Sequence, residues 1–309
     1  MKKILLAAAY LTLLGVPAQA ETIGFSMQRF DDNFLAILRS GLEAHAKDLG
    51  NVTLLIEDAQ GDIARQQSQI ENFIAAKVDG MIVIPVEADA GVAMSKTADK
   101  AGIPLVFANN QPSNVDELPE KQAFVGSDQI QAGSLEAREV CRLLGGKGKA
   151  VILMGELGTL VARGRTEAVH EVFKSDECKG IEIVEEQTAT WSRTQALDLT
   201  TNWLSAGLNF NAVIANNDEM ALGALQAIKA SGGSTGDYVV AGIDATQDAL
   251  TAMKSGDLRV TVFQDAISQG KGALDTVLKL ARGENTDRKV FTTLELVTKD
   301  NMDKYLNKN

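Results

Sequence analysis

The chain has 309 residues, with 30 basic side chains against 41 acidic ones and a net charge of −11. That length supports one large or two medium domains with a substantial core. So acidic a chain is repelled by phosphate backbones, which excludes nucleic acid as the expected partner and disfavours anionic membrane surfaces.

The chain opens with Lys2 and Lys3, a short apolar run ILLAAAYLTLLGV, and the small-residue stretch Ala18-Gln19-Ala20. This is the pattern of a cleavable secretory signal, cut after Ala20; it is too short and wrongly flanked for a membrane anchor. No cysteine follows the cut, and no later apolar run has the length of a bilayer span. The mature chain is therefore expected to be exported, soluble and free of a lipid anchor. Losing the leader lowers the 30 basic residues by two, to 28 against 41 acidic ones, a balance of −13.

Beyond the leader, strand-like and helix-like segments alternate. TIGFSM precedes the helical DNFLAILRSGLEAHAKDLG; VTLLIEDA precedes ARQQSQIENFIAAKV; GMIVIPV precedes AGVAMSKTADKAG; IPLVFANN and AFVGSD close a first group. A second group repeats the rhythm. SLEAREVCRLLGG leads to KAVILMGE, RGRTEAVHEVFKS to IEIVEEQ, RTQALDLTTNWLSAG to AVIANND, ALGALQAIKASGG to YVVAGIDA, and DALTAMKSGD to RVTVFQD. The strands are short and nearly all apolar, which suits a parallel sheet covered by helices on both faces. Helices often end at glycine, as at Gly50, Gly145, Gly207 and Gly232.

This alternation predicts an α/β fold. The strands are too many for one flavodoxin-sized sheet, so two doubly wound, Rossmann-like lobes of parallel sheet fit best, and a closed eight-stranded barrel is the structural rival. AISQGKGALDTVLKLARG adds a helix and KVFTTLELVT a strand. If they return the chain to the first lobe and back, three strands of chain form a hinge. The predicted division is a signal over 1–20, one lobe from 21–127 plus 265–291, and a second from 128–264 plus 292–309.

Ligands of open α/β sheets bind at the carboxyl ends of the strands. Those ends carry Gln28, Arg29, Phe30, Asp31 and Asp32; Asn109, Asn110 and Gln111; Trp191; Asn216, Asn217 and Asp218; Asp244; and Gln264, with Arg163 and Arg165 opening a helix. Each alone reads as a turn or a helix cap. Together, amides, carboxylates and guanidinium groups offer planar donor and acceptor pairs that match neighbouring hydroxyls on a ring. Phe30, Phe34 and Trp191 supply flat apolar surfaces for its C–H faces.

Catalysis has little support. His45 and His170 lie mid-helix, away from the strand ends, and read as surface or packing histidines. There is no G-x-S-x-G elbow or phosphate loop, and GELGT is too degenerate to count as one. Asp31 and Asp32 could act on a glycoside only with a second carboxylate at the required separation, which nothing marks. No catalytic residue, metal site or cofactor is expected. Cys141 and Cys178 read either as a structural disulfide of an oxidising compartment or as two separate buried thiols.

The stretch AVIANNDEMALGAL, the segment ARGRTEAV, the export signal and the two-lobe alternation resemble the periplasmic ribose-type sugar-binding proteins of ABC importers. The resemblance covers the whole mature chain. It implies the periplasmic binding protein type 1 fold and a periplasmic, monomeric protein that hands its ligand to an inner-membrane permease and serves a chemoreceptor as a second partner. The family shares its lobes with repressors that begin with a DNA-reading helix-turn-helix, whereas this chain begins with an export signal. Ligand contacts are implied at Gln28, Asp32, Phe34, Arg165, Trp191, Asn217, Asp244 and Gln264, with Asp218 left to cap the helix after Asn217.

Two departures bear on the ligand. Ribose and galactose binders usually present an Asp-Arg pair where this chain has Asn109-Asn110, and Arg29 is the residue that could restore a cation. The run EEQTATWSRTQALDLTTNWLSAG and the cysteine placement look like the branch that binds inositol and related cyclitols, including rhizopine-type inosamines. A cyclitol such as myo-inositol is the first expected ligand, ahead of a pentose, hexose or linear polyol. Glu87 and Asp89 are the exposed charges expected to mark a docking face.

Overall fold

The computed structural model describes residues 20–309, so the proposed leader lies outside the described residues apart from Ala20. The first lobe is built from β1 (Glu21–Met27), α1 (Asn33–Leu49), β2 (Val52–Asp58), α2 (Ile63–Ala75), β3 (Gly80–Val83), α3 (Ala88–Ala101), β4 (Leu105–Ala108) and β5 (Gln122–Gly126). The chain then enters the second lobe with α4 (Gln129–Leu144), β6 (Lys147–Met154), α5 (Leu160–Phe173), β7 (Gly180–Thr188), α6 (Arg193–Ser205) and β8 (Ala212–Ala215). That lobe continues with α7 (Asp218–Ala230), β9 (Val239–Ala241), α8 (Gln247–Ser255) and β10 (Thr261–Gln264). The last elements are α9 (Ala266–Ala281), β11 (Lys289–Phe291) and β12 (Leu294–Val297).

Two open sheets result, not a barrel. The first runs β11-β5-β4-β3-β1-β2 with every pair parallel. The second runs β7-β6-β8-β9, also parallel. Bridges Ala241 to Val260 and Asp244 to Phe263 place β10 beside β9, and β12 pairs antiparallel with β10. Strands β3, β4 and β8 are buried along their whole length, as a sheet covered on both faces requires.

The hinge strands sit where the chain changes sheets. It leaves the first sheet after β5, returns after β10, and crosses again between β11 and β12. Helix α9 packs back on α1, and glycine makes that approach possible: a Cβ on Gly270 would stand 2.3 Å from the Leu38 carbonyl oxygen. The apolar faces form separate cores, one around Phe25, Leu38 and Val277 in the first lobe, another around Trp203, Phe210 and Met253 in the second.

Helix starts differ in places from the sequence reading. Helix α4 begins at Gln129, capped by Asp128, and α5 at Leu160, capped by Thr159, both earlier than the amphipathic stripes suggested. Gly50 and Gly145 do terminate helices in left-handed geometry, whereas Gly207 and Gly232 come one residue after the caps Ala206 and Ser231. Cys141 and Cys178 are bonded, with Cα atoms 5.7 Å apart, tying the end of α4 to the turn before β7. His45 meets Asp275 at 2.7 Å and His170 meets Glu186 at 2.8 Å, both at exposed positions.

Candidate ligand-binding cleft

The β→α loops of both sheets face one shared gap. Ten of the twelve expected residues line it: Gln28, Asp32, Phe34, Asn109, Asn110, Arg165, Trp191, Asn217, Asp244 and Gln264. Leu35 and Val161 complete the wall; nothing in their apolar character distinguished them in the sequence from core residues. Arg29 and Phe30 do not line the gap. Arg29 turns to an ion pair with Glu156, and Phe30 lies under the Arg39 guanidinium, 4.4 Å from its ring centroid.

From the first lobe, Gln28 follows β1 and its Oε1 accepts from Asn110 Nδ2 at 2.8 Å. Asn110 Nδ2 also donates to the Pro85 carbonyl at 3.0 Å, which fixes its amide. Asp32 caps α1 by accepting from the Leu35 N–H at 2.9 Å, leaving its other oxygen outside that bond. Burial pushes its carboxyl above the usual range, against the pull of that backbone bond and of Arg29.

From the second lobe, Arg165 projects from α5. Its Nε donates to Gln129 Oε1 at 2.8 Å, and its Nη1 donates to the Asn216 carbonyl and lies 3.9 Å from Asp244 Oδ1. The same guanidinium sits 5.8 Å from the Trp191 ring centroid, a cation–π contact. Burial pushes the Asp244 carboxyl well up, and Arg165 opposes that shift.

The polar turn after β8 divides its work differently from the sequence reading. Asn216 Oδ1 accepts from the Gly155 N–H at 3.0 Å and from Thr166 Oγ1 at 3.2 Å, so it braces the floor. Asn217, not Asp218, caps α7, accepting from the Met220 N–H at 3.0 Å while lining the gap. Asp218 is fully buried and accepts from Thr246 N at 2.9 Å and Thr261 Oγ1 at 2.7 Å. Its carboxyl is pushed up to about 6 by burial. The cap preference of Asx residues is real, but the register of one position was not readable from composition.

A chain of amides crosses the hinge. Asn109 Nδ2 donates to Gln269 Oε1 at 3.2 Å, Gln269 Nε2 donates to Gln264 Oε1 at 3.3 Å, and Gln264 Nε2 donates to Asp244 Oδ1 at 2.6 Å. Gln269 lies mid-helix in α9, where no strand-end rule would have found it. Three wall residues have left-handed backbones: Asn109 (φ 58°), Trp191 (φ 65°) and Asp244 (φ 134°). Non-glycine residues in that region carry strain that collects at binding sites. Among the described residues no cluster of three or more acids, histidines or cysteines is placed to hold a metal ion.

Two open, parallel α/β sheets that share three crossings and face one polar-and-aromatic gap define a solute-binding protein. The chain belongs to the periplasmic binding protein family, whose domain profile matches residues 23–285. It is 58% identical over 309 residues, all of both chains, to a Rhizobium meliloti protein named "Putative rhizopine-binding protein". It is 31% identical to the ribose import binding protein RbsB of Bacillus subtilis over 90% of this chain and 87% of that one. Among solved structures, an ABC transporter solute-binding protein from Bacillus halodurans with bound myo-inositol superposes with a TM-score of 0.88 at 39% identity, covering 94% of this chain and 99% of that one. The protein is thus a periplasmic sugar- or polyol-binding component of an ABC importer, in a family of binding proteins rather than enzymes.

Proposed function

We propose that the chain captures a cyclic polyol, first of all myo-inositol or a related cyclitol, and delivers it to an ABC permease of the inner membrane. The observation that carries this reading is the wall itself. Planar groups of Gln28, Asn109, Asn110, Arg165, Asn217, Asp244 and Gln264 surround one gap in which Phe34 and Trp191 offer flat apolar faces. Myo-inositol carries a hydroxyl on every ring carbon, so donors and acceptors are needed around its whole rim. Uncharged Asn109 and Asn110, in place of the Asp-Arg pair of ribose and galactose binders, favour that ligand over ribose. Likeness to the rhizopine-binding and myo-inositol-bound relatives supports the same choice.

The mechanism is capture without chemistry. Residues 21–127 with 265–291 act as one lobe and residues 128–264 with 292–309 as the other, and a ligand that touches both favours the closed arrangement. The mature chain, beginning at Glu21, works as a monomer and presents its closed form to the permease, with Glu87 and Asp89 on the docking face, and to a chemoreceptor. Many satisfied hydrogen bonds around a buried ring support sub-micromolar affinity, on the order of 8 to 10 kcal/mol. A thermal-shift and calorimetric panel of cyclitols, pentoses, hexoses and alditols tests this. A cyclitol should raise the melting temperature most, in line with ligand linkage. A pentose, hexose or alditol at the top of the ranking would replace the cyclitol, and a panel without any shift would end the reading.

A further inference from the structure

The segment GELGT, Gly155–Thr159, joins β6 to α5 and matched no phosphate-binding pattern. In the structure it crosses the cleft at two points. The Glu156 carboxylate accepts from Gln28 Nε2 and pairs with Arg29 Nη2, both on the loop after β1 in the opposite lobe. Two residues on, the Gly158 carbonyl accepts from the Ala88 N–H at 3.0 Å.

Each contact answers a need in the first lobe. Ala88 is the first residue of α3, and the cap residue Glu87 makes no side-chain cap bond, so an orphan helix donor finds its partner across the cleft. A Cβ on Gly158 would stand 2.6 Å from Glu87 Cγ, so a larger side chain there must displace the exposed Glu87 side chain beside the Ala88 N–H. Gln28 has its Oε1 held by Asn110 at 2.8 Å and its Nε2 held by Glu156, so its amide cannot turn over in the binding wall. The Arg29 and Glu156 side chains are 27% and 20% exposed, which shields the pair from solvent while it is made.

We infer that loop 155–159 is a latch that holds the two lobes shut over the ligand, with Glu156 the positioning residue that sets the Gln28 amide. The inference rests on the two-lobe capture reading. These bonds join residues of different lobes, so opening the cleft breaks them. Their free energy therefore appears in the rate of opening, and hence of release, rather than in the stability of either lobe.

The test compares the intact protein with Glu156→Gln and Gly158→Val, using myo-inositol as the probe. Stopped-flow displacement gives release rates, small-angle scattering gives the radius of gyration with and without probe, and thermal melts of the unliganded protein check folding. Both variants should melt like the parent, release the probe about tenfold or more faster, and compact less on adding it. Parental release rates in both variants would overturn the latch. A parent protein that neither binds nor compacts with myo-inositol or with any other cyclitol, pentose, hexose or alditol of the panel would overturn the capture reading and the latch with it, so the parent arm tells the two failures apart.

Discussion

Nη1 of Arg165 and Oδ1 of Asp244 face each other at 3.9 Å inside the cleft, with side chains only 2% and 3% exposed. Neither charge has water to fall back on. Arg165→Ala leaves the Asp244 carboxylate buried near Asp218 and Asp32 without its cation, and breaking such a pair typically costs about 3 to 5 kcal/mol. Replacing both, Arg165→Met with Asp244→Asn, should recover much of that stability while ligand binding stays lost. Urea unfolding midpoints and calorimetric titrations of the two variants measure it.

Asn217 has two duties, since it lines the gap and caps α7. Asn217→Ala should therefore abolish binding and also lower the unliganded stability by roughly 0.5 to 2 kcal/mol. Asn217→Ser retains a cap oxygen, so its unliganded melting point should stay near the parent's while binding weakens. Equal melting losses for the two variants would show that the cap bond contributes nothing.

Gly155 gives Trp191 its place. A Cβ at that position would lie 2.1 Å from the indole Cη2, so Gly155→Ala must push the ring out of the cleft wall. Ligand affinity should fall by at least about tenfold at a stability cost of about 1 to 3 kcal/mol. Because both changes act through the same ring, the binding losses of Gly155→Ala and Trp191→Ala should not add in the double variant. Near-ultraviolet circular dichroism would follow the indole directly.

The disulfide closes a separation of 37 residues at the edge of the second sheet opposite the cleft. Chain-entropy reasoning for a loop of that size gives about 3 to 4 kcal/mol of stabilisation. The double variant Cys141→Ser with Cys178→Ser should lose that much in denaturant unfolding and yet bind ligand with parental affinity at low temperature.

Asp257 accepts from Lys229 Nζ at 2.7 Å, Ser255 Oγ at 2.6 Å and Thr235 Oγ1 at 2.7 Å, which join the ends of α7 and α8. The hydrogen bond from Lys229, then that from Ser255, hold its carboxyl down to about 2. A depressed folded-state value means the stabilisation is present above the ordinary carboxyl range near 3.9 and fades as the pH falls towards about 2. Asp257→Asn should thus be less stable than the parent at neutral pH, with the two unfolding curves converging at about pH 2.

Much of this molecule is local chemistry and could be read along the chain. Short apolar strands such as AVIA and helices ended by Gly50 and Gly145 need only neighbouring residues to be recognised, and polar groups at strand ends follow from the open-sheet rule. That is why ten wall residues were visible in advance. Arg29 and Phe30 lie outside the gap; position in a loop does not say which way a side chain turns. Partners from other elements, Glu156 and Arg39, decided their direction.

Tertiary structure alone decided what depends on distant pieces of chain meeting. Gln269 joins the site across 160 residues of sequence from Asn109, and Glu156 reaches Gln28 across 128. The left-handed backbone of Trp191 likewise has no signature in side-chain type. Propensity and hydrophobic period are properties of a few adjacent residues, so they specify strands, helices and the ends where polar groups gather. Contacts between lobes are set by how two sheets, each folded on its own core, come to face one another, and no short stretch of the chain contains that information.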